Sequence, residues 1–191
     1  MQRYRMNGIE MINTRRSIRT FSPQPIPQSV LDDMIAAAQN APSCQNKQCW
    51  RFIVITNPGA IGRLATHAGF IGTVNFFIKQ APMVVVACAD PARSCVLNGQ
   101  DYYLADTAMA FQQMMLAAWS HGVGSCWLGA FNEKSLRKEL GIPQNIRVVG
   151  MSPFGYPARK SSLYAKAVKA VAKGGARLSK EKIVCYESWS L

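Results

Sequence analysis

The chain has 191 residues, which is long enough for one domain with a core of its own, and its 49% apolar content excludes a disordered chain. No run of about eighteen apolar residues is present, and no apolar signal region follows the basic N-terminus, so we expect a cytoplasmic protein. The formal charge of +12 points to an anionic partner: nucleic acid, a membrane surface or a phosphorylated small molecule.

Helical and β-branched patterns alternate along the first half of the chain. The predicted elements are a helix that ends near Thr14, a proline-punctuated loop, a helix from Pro27 to Asn40, a strand at Trp50–Thr56, a helix near Pro58–Thr66 and a strand at Met83–Ala89. A glycine-rich, aromatic stretch over Gly69–Phe77 has the composition of a lid. Both strands are near-continuous apolar runs, which is typical of strands buried on both faces.

The second half centres on one long apolar helix. The predicted elements are this helix at Gln100–His121, a turn over Ser125–Phe131, a helix capped by Asn132 that ends at Leu140, a strand at Arg147–Phe154 and a short final strand at Ile183–Tyr186. No internal repeat or domain boundary is visible. The order predicts a single α+β domain over residues 1–191, built around a small sheet.

The six cysteines include no C-x-x-C pair, and the chain is too long and apolar to need a disulfide framework. We therefore expect six reduced thiols, several of them in the core. The two histidines lack ligand spacing, so no metal site is predicted.

Much of the positive charge lies near the C-terminus. Residues 159–182 hold eight lysines and arginines against Glu181 alone, a net +7 of the +12. Most of these side chains are typical of a solvated segment, and Arg177 is the exception considered below.

Three further segments carry chemical information. Arg15–Phe21 places three arginines and a serine together, which suits a phosphate but is also typical of an exposed basic turn. Ala41–Phe52 supplies amide side chains that match the edge of a flavin ring, or that simply connect a helix to a strand. In Gly124–Phe131, Gly129 allows backbone to approach a planar ring, although a tight turn also explains it.

In this order and at these separations, the three segments together resemble the nitroreductase family. The family pattern R-R-S-x-R-x-F is matched at Arg15–Phe21, A-P-S-x-x-N-x-Q-P-W at Ala41–Trp50 and G-S-x-W-x-G-x-F at Gly124–Phe131. Gly155-Tyr156-Pro157 and Arg177-Leu178 match further family features. Cys49 replaces the usual proline before the first strand, and Cys44 is assigned no redox role.

The resemblance implies a nitroreductase-like fold, with a central mixed sheet flanked by helices, in an intertwined homodimer that holds FMN at its interface. Arg15, Arg16, Ser17 and Arg19 would hold the phosphate, ribityl chain and pyrimidine edge. The ring contacts implied are Ser43, Asn46 and Gln48 from the partner subunit, with Leu128 and Gly129 near the reactive nitrogen. Arg177 would close on the phosphate.

The implied activity is FMN-dependent oxidoreduction. NADH or NADPH would reduce the flavin, and an electron-poor acceptor such as a nitroaromatic or a quinone would then bind in its place, giving ping-pong kinetics without a catalytic side chain. Two alternatives stay open. One is a flavin storage or sensing protein without turnover. The other is a basic nucleic-acid-binding module, for which the chain shows no recognised motif, so we expect neither nucleic acid nor membrane as a partner.

Overall fold

A computed structural model describes residues 6–69, 75–159 and 176–189. The chain divides into two compact units, Met1–Lys160 and Ser161–Leu191, which are described separately. The single domain over residues 1–191 stays a prediction. No helix among the described residues has both the length and the apolar character required to cross a membrane.

The first unit is built on a four-stranded sheet. Its strands are β1 (Trp50–Ile55), β2 (Met83–Ala89), β5 (Gly124–Ser125) and β6 (Arg147–Gly155). A separate hairpin is formed by β3 (Val96–Leu97) and β4 (Gln100–Asp101). The sheet order is β1-β2-β6-β5, and each of these pairings is antiparallel. The family resemblance implies a mixed sheet. Among the described residues, its parallel pairing is limited to an isolated bridge between Ser17 and Ser125.

Five helices surround this sheet: α1 (Gly8–Thr14), α2 (Gln28–Gln39), α3 (Pro58–His67), α4 (Tyr102–Ser120) and α5 (Glu133–Leu140). Asparagine caps start three of them, because the side chains of Asn7, Asn57 and Asn132 accept hydrogen bonds from amides in the first turn. Gly141 ends α5 with a φ of 63°, a left-handed conformation that suits glycine. The α+β class predicted from the sequence is confirmed.

Strand β2 divides the core into two clusters. Val84, Val86 and Cys88 point to the cluster covered by α3 and α5, whereas Met83, Val85 and Ala87 point to the cluster covered by α2 and α4. Every residue of β2 is buried, as the continuous β-branched run predicts. Phe111, Met114 and Met115 of α4 are also buried, so the prediction of a central core helix is confirmed.

The predicted final strand at Ile183–Tyr186 is wrong. In the second unit, a 3-10 turn spans Lys180–Lys182, and the Val184 amide donates to the Lys180 carbonyl oxygen. Glu187 then takes a φ of 64°, which is incompatible with an extended strand. The β-branched pair Ile183-Val184 gave the sequence pattern, but local turn bonds take the backbone groups that a strand would need.

The predicted lid over Gly69–Phe77 lies partly outside the described residues, which resume at Asn75. A 3-10 helix spans Phe76–Gln80, and its Phe77 and Ile78 side chains are buried in the core beside α3. The described end of this stretch is therefore anchored.

The prediction of six reduced thiols is also wrong. Cys44 and Cys95 form a disulfide, with their Cα atoms 6.1 Å apart. Their separation of 51 residues gives no signal in the sequence, because the fold alone brings the two loops together at the start of α4. Cys49, Cys88 and Cys126 are buried thiols, as expected.

Candidate flavin-binding edge of the sheet

The arginine-rich segment Arg15–Phe21 lies along the β5 edge of the sheet. The Ile18 amide donates to the Ser125 carbonyl oxygen over 2.9 Å. Further along, the Ser22 amide donates to Tyr156, and the Ala158 amide donates to Thr20. The fold thus brings together two of the three predicted motifs and the Gly155-Tyr156-Pro157 segment.

A glycine makes this close approach possible. A Cβ atom on Gly124 would lie 2.8 Å from Ile18 Cβ, closer than real Cβ contacts allow. Any side chain at position 124 would therefore push the arginine segment away from the sheet. Gly124 supports the site through packing rather than through ligand contact.

Arg15 and Arg19 at this edge place positive charge near Cys126. Burial raises the pKa of the Cys126 thiol, while the positive charges of Arg19 and Arg15 and a hydrogen bond from Ser17 oppose that rise. Among the described residues, no ion pair to a carboxylate involves Arg15, Arg16 or Arg19. Because Arg15 and Arg19 have no acidic partner among the described residues, their charge makes this edge suited to an anion.

Gly129 lies further along the same edge of β6 and provides open space there. The residue is exposed, and the nearest atom to a Cβ placed on it would be Trp127 Nε1 at 3.8 Å. Leu128 is buried, and its amide and carbonyl both bond to Met151, so it holds this loop against β6. Of the two predicted ring contacts in this loop, Gly129 offers the free surface and Leu128 fixes its position.

The Trp127 side chain packs next to Gly129. Its ring lies over Gly150, where a Cβ would come within 2.8 Å of Cζ2, and it packs 5.1 Å from the Phe111 ring between centroids. These contacts fix the position of the turn that carries Gly129.

The remaining predicted motif, Ala41–Trp50, lies elsewhere in the same chain. Ser43, Asn46 and Gln48 precede β1, at the opposite edge of the sheet from β5. Trp50 pairs with Ala89, which pairs with Arg147 at the start of β6, whereas β5 pairs with the end of β6. At about 3.3 Å per residue and 4.8 Å per strand, roughly 25 Å separate the two corners.

This second corner has its own hydrogen bonds. The Gln48 amide donates to Ser43 Oγ over 3.1 Å, and the Gln48 side-chain amide donates to Asn46 Oδ1 over 3.0 Å. Asn46 and Gln48 are exposed. One chain does not bring these residues to the arginine edge.

Arg177 lies in the second unit, where it is exposed and donates to the Ala176 carbonyl oxygen over 2.8 Å. Its approach to a phosphate stays a prediction.

Two residues of these corners were not predicted from the sequence. Asp106 is buried in α4 and accepts a hydrogen bond from the Cys44 amide, which anchors the Ser43–Gln48 segment. A carboxylate within an otherwise apolar helix is the signal that points to such a role. Cys126, by contrast, has no sequence signal beyond its place in the third motif.

The fold and this edge together define an α+β protein whose small antiparallel sheet carries a cationic, glycine-bearing edge. The family model described as "Nitroreductase family" matches residues 12–69 and 73–156. The chain belongs to the nitroreductase family.

Individual relatives agree with this assignment. A relative from Archaeoglobus fulgidus, named for NADH dehydrogenase and NAD(P)H nitroreductase, is 34% identical over 82% of this chain and 88% of its own. The crystal structure of a nitroreductase family protein from Clostridium novyi NT is 35% identical, with a TM-score of 0.77 over 81% of this chain and 87% of that one. An FMN-dependent nitroreductase from Clostridium difficile R20291 is 25% identical, with a TM-score of 0.76 over 95% and 99%.

Proposed function

We propose that this protein is an FMN-dependent oxidoreductase that uses NADH or NADPH to reduce electron-poor acceptors, with nitroaromatics and quinones as the expected classes. We further propose that it works as a homodimer in the cytoplasm. Family membership and the names of its relatives support the reaction class. The observation that carries the proposal is the placement of Arg15, Ser17 and Arg19 and of the exposed Gly129 along one edge of the sheet.

The residues at this edge fit the two ends of FMN. Arg15, Arg16, Ser17 and Arg19 offer hydrogen-bond donors and positive charge to its phosphate, ribityl chain and pyrimidine edge. Gly129 offers a surface without a side chain to its flat ring, held in place by Leu128 and Trp127. Arg177 is a further candidate for the phosphate.

The distance between the two corners supports a shared site. Because Ser43, Asn46 and Gln48 lie roughly 25 Å from the arginine edge in one chain, they reach a flavin bound there only from a second copy. An isologous dimer would place both corners together twice. The apolar surface of α4 beside the second corner, which includes exposed Leu104 and Met109, suits such an interface.

When bound, FMN supplies the hydride chemistry of the reaction. The residues of this chain would bind and orient it, and the arginines would place positive charge close to it. No nucleophile and base are required. Because reductant and acceptor would use the same open surface beside Gly129, we expect them to bind in turn, which gives ping-pong kinetics.

The test is the visible absorption spectrum of the purified protein, recorded without oxygen before and after NADH or NADPH is added. We expect flavin bands that bleach on addition and return when a nitroaromatic or a quinone is supplied. Bands that persist with both nucleotides would instead indicate storage or sensing. A protein that takes up no FMN but binds nucleic acid with steep salt dependence would overturn the proposal.

A further inference from the structure

The disulfide ties one proposed half of the flavin site to the loop before α4. Cys44 lies between Ser43 and Asn46, in the segment assigned to the ring. Cys95 lies in the loop that precedes the β3–β4 hairpin. In one chain, Cys44 is half-buried and Cys95 is 6% exposed, so Cys44 is the more accessible residue of the pair.

The segment held by this bond has an unusual backbone. Gln45, Asn46 and Gln48 have φ values of 52°, 54° and 49°, in the left-handed region that residues with side chains seldom occupy. Such conformations persist only where surrounding contacts impose them. The backbone conformation at Asn46 and Gln48 therefore depends on what anchors the segment.

Three anchors join the segment to its neighbours. The first is the Cys44–Cys95 bond. The second is the hydrogen bond from the Cys44 amide to Asp106 Oδ1 over 3.0 Å, and the third runs from Lys47 Nζ to the Ser94 carbonyl oxygen over 3.2 Å. Ser94 Oγ in turn donates to Asp106 Oδ2. The two hydrogen bonds therefore attach the segment to Ser94 and Asp106, and Ser94 is the residue next to the disulfide-bonded Cys95.

We propose that Cys44 and Cys95 form a redox-exchange site for a dithiol reductant, and that their reduction loosens the Ser43–Gln48 segment and weakens flavin binding. The second half of this proposal rests on the proposed function, whereas the first half does not.

The exchange balances as an ordinary thiol–disulfide reaction. A thiolate of the dithiol attacks Cys44 Sγ, the S–S bond breaks, and Cys95 leaves as a thiolate that takes up a proton. The second thiol of the reductant then attacks the mixed disulfide and releases Cys44. The two cysteines gain two electrons and two protons, and the dithiol becomes a disulfide.

The buried thiols of Cys49 and Cys88 do not compete in this exchange. Burial raises the pKa of the Cys49 thiol, and the nearby carboxylate of Asp106 raises it further. Burial also raises the pKa of Cys88 to about 11. Both stay protonated near neutral pH, and a protonated thiol is a poor nucleophile.

The experiment compares the purified protein before and after treatment with dithiothreitol, followed by removal of the reagent without oxygen. Three quantities are measured: thiols titrated after denaturation, hydrogen exchange of peptides that cover residues 41–50, and the Kd for FMN. Cys95→Ser reproduces the reduced state permanently, and Cys88→Ala serves as the control because it removes a buried thiol outside the pair.

We expect reduction to expose two more thiols per chain, to speed exchange over residues 41–50 and to raise the Kd for FMN severalfold. Cys88→Ala should respond in the same way, whereas Cys95→Ser should show fast exchange throughout and no response. An unchanged thiol number, or unchanged exchange over residues 41–50, would overturn the proposal whether or not FMN binds. Faster exchange with an unchanged FMN Kd would overturn the link to the flavin, and a protein without FMN affinity in either state would refute the proposed function instead.

Discussion

Arg15 and Arg19 contribute positive charge to the same place at the edge of the sheet. Both place positive charge near the Cys126 thiol, although they are four residues apart on a chain that has left α1. Neither has a carboxylate partner among the described residues. Their charge is therefore available to an anion, which makes them the first residues to test.

Replacing Arg15 or Arg19 by alanine should weaken FMN binding. A charge-assisted hydrogen bond contributes about 1.5–3 kcal/mol, so each variant should raise the Kd by about tenfold or more. Fluorescence titration of the apoprotein with FMN measures the change. Arg63→Ala is the matched control, since Arg63 is largely exposed and lies in α3. Affinities equal to that of the control would remove both arginines from the site.

Gly124→Ala should displace the arginine segment without removing any ligand group. The new Cβ would meet Ile18, and such overpacking costs about 1–3 kcal/mol of stability. We expect a lower free energy of unfolding and a higher Kd for FMN, and a second substitution, Ile18→Ala, should restore part of both.

Gly62→Ala is the control for this variant, because a Cβ on Gly62 meets nothing within 4 Å. Wild-type stability and affinity in Gly124→Ala would show that the arginine segment does not depend on this contact.

For individual residues, the sequence predicted which side chains belong to the candidate site but not which contacts hold them in position. The arginines and Gly129 follow from motifs. The contact between Ile18 and Gly124, the burial of Leu128 and the anchoring by Asp106 depend on long-range pairing. The Cys44–Cys95 bond was missed for the same reason, since local spacing carries no information about a loop of 51 residues.

Helix α5 is fastened to β6 by one carboxylate. Glu133, in the first turn of α5, accepts hydrogen bonds from Arg147 Nε and Nη2 and from the Val148 amide. The bonds from Arg147 hold the pKa of Glu133 below its usual range, and the Val148 amide adds to this effect. The same carboxylate thus connects a helix start to the strand at the centre of the fold.

Glu133 should give the protein a component of stability that depends on pH. Because its pKa is lower in the folded state, the stabilisation is fully present above the pKa of the unfolded chain and is lost as pH falls through the folded value. Glu133→Gln should lower the free energy of unfolding at neutral pH by about 1 kcal/mol, a discounted figure because Arg147 is half-exposed.

Urea denaturation at several pH values measures this component. The variant should show a weaker loss of stability in the acidic range than the wild type. Glu139→Gln is the control, since its partner Arg63 is largely exposed and the pair should contribute little. Identical pH profiles for wild type and Glu133→Gln would contradict the assignment.

Elements with strong local signals were predicted with nearly correct bounds. Strand β2 and helices α4 and α5 have continuous apolar runs, helical periodicity or an asparagine cap, which act regardless of tertiary context. The segment Ile183–Tyr186 has only a β-branched pair, and local turn bonds outweigh it. Short strands need a partner strand, and sequence alone does not identify one.

At the scale of the whole molecule, the proposed flavin site takes residues from two chains. The arginine corner and the Ser43–Gln48 corner lie at opposite edges of one sheet. Both motifs can be identified in the sequence. Only the register of β1, β2 and β6 shows that they lie far apart in one chain. The proposed dimer would resolve this separation, because each copy would contribute the corner that the other lacks.

The most direct test is a complementation experiment on differently tagged chains that are expressed together and purified through both tags. One chain carries Arg15→Ala and Arg19→Ala, the other carries Asn46→Ala and Gln48→Ala, and FMN content is measured per dimer. In a shared site, one half of the mixed dimer collects all four changes and the other none, so we predict about one FMN per mixed dimer and little in either parent. Mixed dimers as poor in FMN as both parents would show that each site is built from a single chain, and would contradict the account.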